Sequence, residues 1–311
     1  HYNLEVGSGG HGEQTGQMLQ KLEPIMLDEK PDWVLVYGDT NSTLAGALCA
    51  AKLHIPIAHI EAGLRSFNKK MPEEVNRILT DHASTLLFAP TKMALHNLKN
   101  EGVDDKQIIQ CGDIMYDVAL FFKEKSPESP ILENLGLKKK SYILATVHRA
   151  ENTDLKERLE NIFEGLIETA KDQNVKLVMP MHPRTRNKLQ QYGLFDKYNS
   201  DPSVHIIEPV SYLDQVALMK NAALIATDSG GIQKEAYFVG KPCVTLRDET
   251  EWVELIETGW NRLASPDSTD KVSEELLQAL RYGVPTDRQG DLYGRGDAAQ
   301  IILENLKNFC A

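Results

Sequence analysis

Two carboxylates end apolar stretches in the first third of the chain, Asp39 after Trp33–Tyr37 and Glu61 after Ile57–Ile60, and a third, Glu73, follows Met71-Pro72. Acids on two sides of a bound substrate can take a proton from one face of a carbon and return it to the other. The second half offers complementary chemistry. Ser229-Gly230-Gly231 follows the apolar Leu224–Ala226 and leads into a helical pattern. The uncapped N–H groups of a helix start attract anions, and two residues without side chains let a ligand approach them. Glu235 stands six residues after Ser229, within two helical turns, where a ribose diol attached to a held phosphate would fit. His148 and Arg149 follow Tyr142–Val147, His182 follows Lys176–Met179 and Arg247 follows Cys243–Leu246. Arg149, Arg184 and Arg247, all near strand ends, suggest an anion pocket.

Each of these residues also suits an ordinary structural place. Asp39-Thr40 and Asp228-Ser229 are good helix N-caps, Glu73 after a proline is at home in a helical first turn, and His182 between Met181 and Pro183 suits a core histidine. Glu61 resists that account, because a carboxylate ending a buried strand is costly without a function or a partner such as Arg65.

The elements that must position these side chains alternate between strand and helix. Trp33–Tyr37, Ile57–Ile60, Thr85–Ala89 and Gln107–Gln110 read as strands, separated by helical patterns over Thr43–Lys52, Pro72–His82 and Lys92–Asn100, with another helix over Gln17–Glu29. A second series runs through Tyr142–Val147, Lys176–Met179, Val204–Ile207, Leu224–Ala226 and Cys243–Leu246. This pattern predicts an α/β protein of two doubly wound, Rossmann-like parallel sheets, in which ligands lie outside the carboxyl ends of the strands. Charged, proline-bearing Lys123–Pro130 and Lys138–Lys140 mark a linker between domains over 1–122 and 123–296, and the helix over 297–311 is free to pack on either.

The 311 residues are long enough for two cores, and 41% hydrophobic with 25% charged residues is ordinary for a soluble protein. No apolar run approaches the ~18 residues of a membrane helix, and no secretory signal is evident. A net charge of −11 argues against nucleic acid and anionic membranes as partners. Cys49, Cys111, Cys243 and Cys310 are far apart, so they are expected to be reduced core thiols of a cytoplasmic protein, and no spacing suggests a metal site or another cofactor.

Taken together, Gly38-Asp39-Thr40, His59–Arg65, Pro72–Arg77, His148–Asn152, Met181-His182-Pro183 and Thr227–Ala236 resemble the non-hydrolysing UDP-N-acetylglucosamine 2-epimerases, with His11–Gly16 and Tyr293–Ala298 agreeing at the two ends. The resemblance spans nearly the whole chain. It implies a GT-B fold with the active site between the two domains, a homodimer, and a C-terminal helix that returns to the first domain. The implied reaction inverts carbon 2 of UDP-GlcNAc to give UDP-ManNAc, through elimination of UDP to 2-acetamidoglucal and re-addition after protonation from the opposite face. Such chemistry needs firm electrostatic hold on the leaving diphosphate and exclusion of water. Carried over by position, Asp39, Glu61 and Glu73 are acid/base carboxylates and His182 aids the departing diphosphate. Ser229, Gly230 and Gly231 hold phosphate, Glu235 holds ribose, and His148, Arg149 and Arg247 line the UDP site. Bacterial members use a second UDP-GlcNAc as activator, for which Gln14 and Arg65 are the candidate contacts.

Members of this family begin with a strand ending in Gly-Thr-Arg-Pro-Glu, which has no counterpart here, so about 50 residues, one or two β/α units, are expected to precede His1 in a longer protein. Competing readings are a GT-B glycosyltransferase, a hydrolysing relative, an epimerase of UDP-diacetamido uronic acid sugars, and a nucleotide-sugar sensor without catalysis. The three strand-end acids favour epimerisation over the sensor and the transferase.

Overall fold

The computed structural model describes residues 2–7, 9–125, 129–285 and 292–309, with 123–125 described by backbone alone. They form two compact units, His1–Leu120 with Gly290–Ala311, and Phe121–Gln289. The first contains α1 (His11–Glu29), β1 (Val34–Tyr37), α2 (Asn41–Lys52), β2 (Ile57–Ile60), α3 (Pro72–Ala83), β3 (Leu86–Ala89), α4 (Lys92–Asn100), β4 (Ile108–Gln110) and most of α5 (Ile114–Lys125). The second contains α6 (Ile131–Asn134), β5 (Tyr142–Thr146), α7 (Ala150–Thr153), α8 (Lys156–Asp172), β6 (Lys176–Pro180), α9 (Pro183–Gln191), α10 (Phe195–Asn199) and β7 (Val204–Ile207). It continues with α11 (Tyr212–Asn221), β8 (Leu224–Thr227), α12 (Gly230–Phe238), β9 (Cys243–Thr245), α13 (Val253–Glu257), β10 (Asn261–Leu263) and α14 (Thr269–Tyr282). The last helix, α15 (Ala298–Phe309), belongs to the first unit.

In the first unit the four parallel strands lie in chain order, β1-β2-β3-β4. Neighbouring strand residues point to opposite faces. Val36 and Ile57 pack with Met26, Ala47 and Ala50 from α1 and α2. Ala58, Ile60, Leu86 and Phe88 pack on the other face with Ile302 of α15, and Trp33 meets Phe309 edge-on. The first turn of α15 is fixed by Asp117, which accepts hydrogen bonds from the Ala298 and Ala299 amides. Among the described residues β1 lies at the edge of this sheet, with Leu35 and Tyr37 exposed.

The second sheet has six parallel strands in the order β10-β9-β8-β5-β6-β7. The chain builds outward from β5 through β6 to β7, then returns to the other side of β5 and builds outward again through β8. Strand order therefore reverses between β5 and β8, and their carboxyl ends flank the crevice where open α/β sheets bind ligands. One face of the sheet carries Ile143, Leu177 and Ala226 against Phe163 and Leu166 of α8 and Leu276 of α14. The other carries Leu144, Val178 and Ile225 against Leu218 and Met219 of α11 and Ala236 of α12.

Element positions depart from the pattern in three places. α1 starts at His11 rather than Gln17, since its first turn is polar and exposed and gives no apolar period, yet Gln14 N–H already bonds to the Gly10 carbonyl. The charged stretch read as a linker supplies its first three residues to α5, where Lys and Glu are good helix formers; residues 126–128 lie outside the described residues. β10, with the polar sequence Asn261-Arg262-Leu263, was not evident from periodicity and pairs along β9. Cys49, Cys111 and Cys243 are free and buried, while Cys310 lies outside the described residues. No helix among the described residues is long and apolar enough to cross a membrane.

Candidate functional site

In the first unit, the chain leaves β1 through Gly38 in the left-handed region, and Thr40 rather than Asp39 becomes the N-cap of α2. Thr43 Oγ1 accepts from the Thr40 amide at 3.2 Å and donates to the Tyr37 carbonyl at 2.6 Å. Asp39 is thus released from capping and instead accepts from Arg77 Nη1 of α3 at 2.8 Å. Asn76 Nδ2 adds bonds to the Asp39 carbonyl at 2.9 Å and to Asn41 Oδ1 at 3.2 Å. Arg77 Nε bonds to Glu74 Oε2 at 3.1 Å, and Glu74 accepts from the Ser66 and Phe67 amides, so one arginine ties together the ends of two loops and α3. α3, begun by Pro72 at its first position, carries Glu73 in the same turn as Glu74.

Glu61 is half-buried and has φ +75°. A bulky side chain in the left-handed region costs about 1–3 kcal/mol and persists only where the surroundings enforce it. Its Oε2 lies 3.3 Å from where a Cβ on Gly38 would stand, so Glu61 and Asp39 occupy adjoining strand ends. The enforcing surroundings are a buried polar network behind the loop. His59 Nε2 lies 2.9 Å from the Gly38 carbonyl and its Nδ1 lies 2.6 Å from Asp81 Oδ1. Asp81 also accepts from the Gly63 amide and pairs with Arg65 at 2.7 Å. A Cβ on Gly63 would lie 2.3 Å from the Ala94 carbonyl oxygen, which locks the loop against α4. Burial works against the Asp81 charge, but His59 and Arg65 outweigh it and hold the carboxyl below its usual range.

Arg65 therefore stands elsewhere than at an effector surface. It is 2% exposed, and Asp81, the Leu64 carbonyl and both oxygens of Glu101 engage its guanidinium. These contacts engage four of its five N–H donors, all in the interior. Gln14, on the first turns of α1, donates to the Gly7 carbonyl at 2.8 Å and accepts from Asn41 Nδ2 at 2.8 Å. Through Asn41 and Asn76 it joins the loop that carries Asp39.

In the second unit the organising residue is Asp228, directly after β8 and fully buried. Its role is not to cap α12. Its carboxylate accepts from the His148 and Arg149 amides at 3.0 and 2.9 Å and from Asn152 Nδ2 at 3.1 Å. Asn152 also donates to the Leu246 carbonyl, so the loops after β5, β8 and β9 are joined at the switch point. His148 Nδ1 lies 3.4 Å from Asp228 Oδ1. Burial lowers the His148 pKa below the ordinary value, against the opposing pull of Asp228 and with help from His182, Arg149 and Arg184. His182 caps α9, its Nδ1 accepting from the Arg184 amide at 3.1 Å, so Nε2 carries the N–H of the neutral ring. The two imidazoles lie 5.2 Å apart.

Ser229 is the N-cap residue of α12 but makes no side-chain cap, which leaves first-turn N–H groups to a ligand. The two glycines differ. A Cβ on Gly231 would meet nothing within 4 Å, whereas one on Gly230 would lie 2.4 Å from Glu251 Oε1. Gly231 is the open position, and Gly230 is small because a side chain packs behind it. That side chain is held by Arg247, which is 1% exposed and lies 3.0 Å from Glu251 and 3.2 Å from Glu151. The arginines do not form a common pocket: Arg247 is buried behind α12, and Arg184 is bound to Thr153 and Asp154. Arg149 is half-buried at the β5 end.

A cavity of about 360 Å³ opens at the same strand ends, lined by His148, His182, Tyr212, Gln215, Ile232 and Glu235 among others. Ile232 and Glu235 are one turn apart on α12, so this face of the helix continues from the open N-terminus into the cavity. Tyr212 lies beside Glu235; burial first, and then the carboxylate, push its hydroxyl up to about 12. Asp228, Asn152 and Arg77 stood inside motifs quoted from the sequence but received no site role there. Tyr212 and Gln215 gave no sequence signal, being ordinary polar positions on a helix.

The chain matches the UDP-N-acetylglucosamine 2-epimerase family over residues 1–307. It is 53% identical over 310 residues to a UDP-N-acetylglucosamine 2-epimerase homolog of Methanococcus maripaludis, covering 99% of this chain and 84% of that one. It is 52% identical to the UDP-2,3-diacetamido-2,3-dideoxy-D-glucuronate 2-epimerase of Pseudomonas aeruginosa, covering 98% and 83%. The crystal structure of Methanocaldococcus jannaschii UDP-GlcNAc 2-epimerase in complex with UDP-GlcNAc and UDP superposes with a TM-score of 0.90 at 45% identity, over 99% of this chain and 84% of that one. The two parallel-sheet units are those of a GT-B fold.

Proposed function

The chain belongs to the UDP-N-acetylglucosamine 2-epimerase family, and on that premise we propose that it interconverts UDP-GlcNAc and UDP-ManNAc. The observation that carries this reading is a cavity at the β5/β8 switch point lined by His148, His182, Ile232 and Glu235, with Ile232 next in the chain to the open Gly231 at the start of α12. Gly231 and the first-turn amides of α12 receive the diphosphate, Glu235 the ribose diol, and His182, donating from Nε2, balances charge on the departing phosphate. His148 and Arg149, held by Asp228, line the same site.

Asp39, Glu61 and Glu73 supply the proton chemistry at carbon 2. Asp39 is restrained by Arg77, and Glu61 by its left-handed backbone, so both enter the reaction with little freedom left to lose. Loss of the carbon 2 proton becomes feasible as the bond to UDP weakens; re-addition follows protonation of the glucal from the opposite face. Gln14 is retained as an effector contact, supported by its hydrogen-bonded path through Asn41 to Asp39. We read the enzyme as a cytoplasmic homodimer, supported by the free, buried thiols of Cys49, Cys111 and Cys243 and by the exposed Val75 and Leu79 one turn apart on α3.

A second reading, epimerisation of a UDP-diacetamido uronic acid sugar, is favoured by the 52% identity to the Pseudomonas enzyme. Proton NMR of each substrate with the protein in deuterated water separates the two. UDP-ManNAc carrying deuterium at carbon 2 is the expected product, and Asp39→Asn, Glu61→Gln and Glu73→Gln should each lower its rate by about 10²-fold or more. Turnover of only the diacetamido sugar would move the assignment to the second reading. Free ManNAc would mean hydrolysis instead.

A further inference from the structure

We infer that His59 is a positioning residue for the proton transfers: by donating from Nε2 to the Gly38 carbonyl it fixes the offset between the carboxylates of Asp39 and Glu61. Nε2 lies 2.9 Å from that oxygen, and because a carbonyl only accepts, Nε2 is the donor. On the other side of the ring Nδ1 lies 2.6 Å from Asp81 Oδ1, and Asp81 is fixed in turn by the Gly63 amide and Arg65. His59 is fully buried and Asp81 is 2% exposed, so water does not compete for these bonds. Replacing a buried polar pair by packed apolar side chains is often neutral or stabilising, so stability alone does not account for a histidine here.

Gly38 is the one residue between the end of β1 and Asp39, and both of its backbone groups are tied to β2. Its N–H donates to the Ile60 carbonyl at 3.1 Å and its carbonyl accepts from His59, the two residues that precede Glu61. With φ +63° Gly38 turns the chain out of the strand, in a conformation whose freedom only glycine has. The His59 bond fixes the plane of the 38–39 peptide, and with it the direction in which the chain enters Asp39. Asp81 meanwhile holds the chain just beyond Glu61 through the Gly63 amide. One buried pair thus reaches both loops that carry an acid, and a misplacement of about 1 Å at a reacting centre can cost about 10²-fold in rate.

The inference rests on the epimerase reading, and two substitutions that split the ring test it. Glutamine places its amide nitrogen near Nε2 and keeps a donor for Gly38, whereas asparagine places its own near Nδ1 and keeps the donor for Asp81. In His59→Asn, kcat for the sugar turned over should fall about 10²-fold with KM little changed, while His59→Gln should stay within about tenfold of the unaltered protein. Urea unfolding should rank the two the other way, asparagine above glutamine, because Asp81 is the charged partner. A kcat order that follows the stability order, or a loss in His59→Gln as large as in His59→Asn, would leave His59 a structural residue only and overturn the inference. Each variant decides alone should the other fail to fold. The carbon NMR resonances of the Gly38 carbonyl and of the Asp39 and Glu61 carboxyls read the same geometry without substrate: they should shift in His59→Asn and hold in His59→Gln, and no shift in His59→Asn would equally overturn the inference. If the unaltered protein epimerises no sugar, the function falls and these resonances still decide on His59.

Discussion

Replacing Asp228 by alanine should damage the second unit more than any single loss of a surface ion pair. The carboxylate is fully buried and receives two backbone amides and the Asn152 side chain at 2.9–3.1 Å. Hydrogen bonds to a charged acceptor contribute about 1.5–3 kcal/mol each, so three would total about 4.5–9 kcal/mol if independent. Burying the carboxylate costs several kcal/mol in the same balance, and water can reach part of the loop once the side chain is gone. The net expected loss for Asp228→Ala is about 3–5 kcal/mol. Asp228→Asn keeps an oxygen where the three donors converge and should lose only about 1–2 kcal/mol, since the charge is removed but an acceptor remains. Urea unfolding followed through Trp252 and Trp260, both in the second unit, reads this difference directly, and UDP titration should weaken in the same order. An alanine variant within 1 kcal/mol of the unaltered protein, or an asparagine variant as unstable as alanine, would refute the account of Asp228 as the acceptor joining the loops.

The two glycines at α12 should separate packing from binding. Gly230→Ala places a methyl against the pinned Glu251 and should cost about 1–3 kcal/mol of stability, whereas Gly231→Ala should fold normally and lose UDP affinity, as unfolding and titration curves would report. Asp81→Ala removes the buried carboxylate shared by His59 and Arg65, leaving Arg65 with Glu101 alone, and should cost about 3–5 kcal/mol by urea unfolding, with Asp81→Asn failing to restore it. Because the folded His148 pKa lies below 6.5, the unfolded chain binds the extra proton first as acid is added. The His148 contribution to stability is thus complete above pH 6.5 and falls as pH drops from there toward the folded pKa. Asp228→Asn removes a group that raises this pKa, so the His148 ring resonance should titrate at still lower pH by NMR.

The alternation of apolar runs made both parallel sheets legible, because a strand buried on both faces leaves a short, continuous apolar signature. Glu61 was also legible, since a carboxylate at the end of such a run contradicts its surroundings, and the structure adds a strained backbone at that position. Arg65 and Arg247 both lie in the interior for a common reason. Sequence offers the sign of a charge near a strand end but not its neighbours, and here Asp81 and Glu101 lie against Arg65 while Glu151 and Glu251 lie against Arg247. Gly230 and Gly231 look identical as letters and differ only in what lies behind them.

The pairing of β5 with β8 also bears on how the second unit acquires its site. Thr146 and Thr227 share a 2.6 Å hydrogen bond at the carboxyl ends of the two strands, although 81 positions separate them in the chain. Contacts of such long sequence separation carry a large loop-closure cost and tend to form late in folding. His148, Arg149 and Glu235 gain their common setting only after β6 and β7 have been laid down and the chain has returned. A growing polypeptide that has not yet passed Asp228 would possess half a sheet and no nucleotide site, so recovery of UDP binding should lag behind recovery of helical signal during refolding.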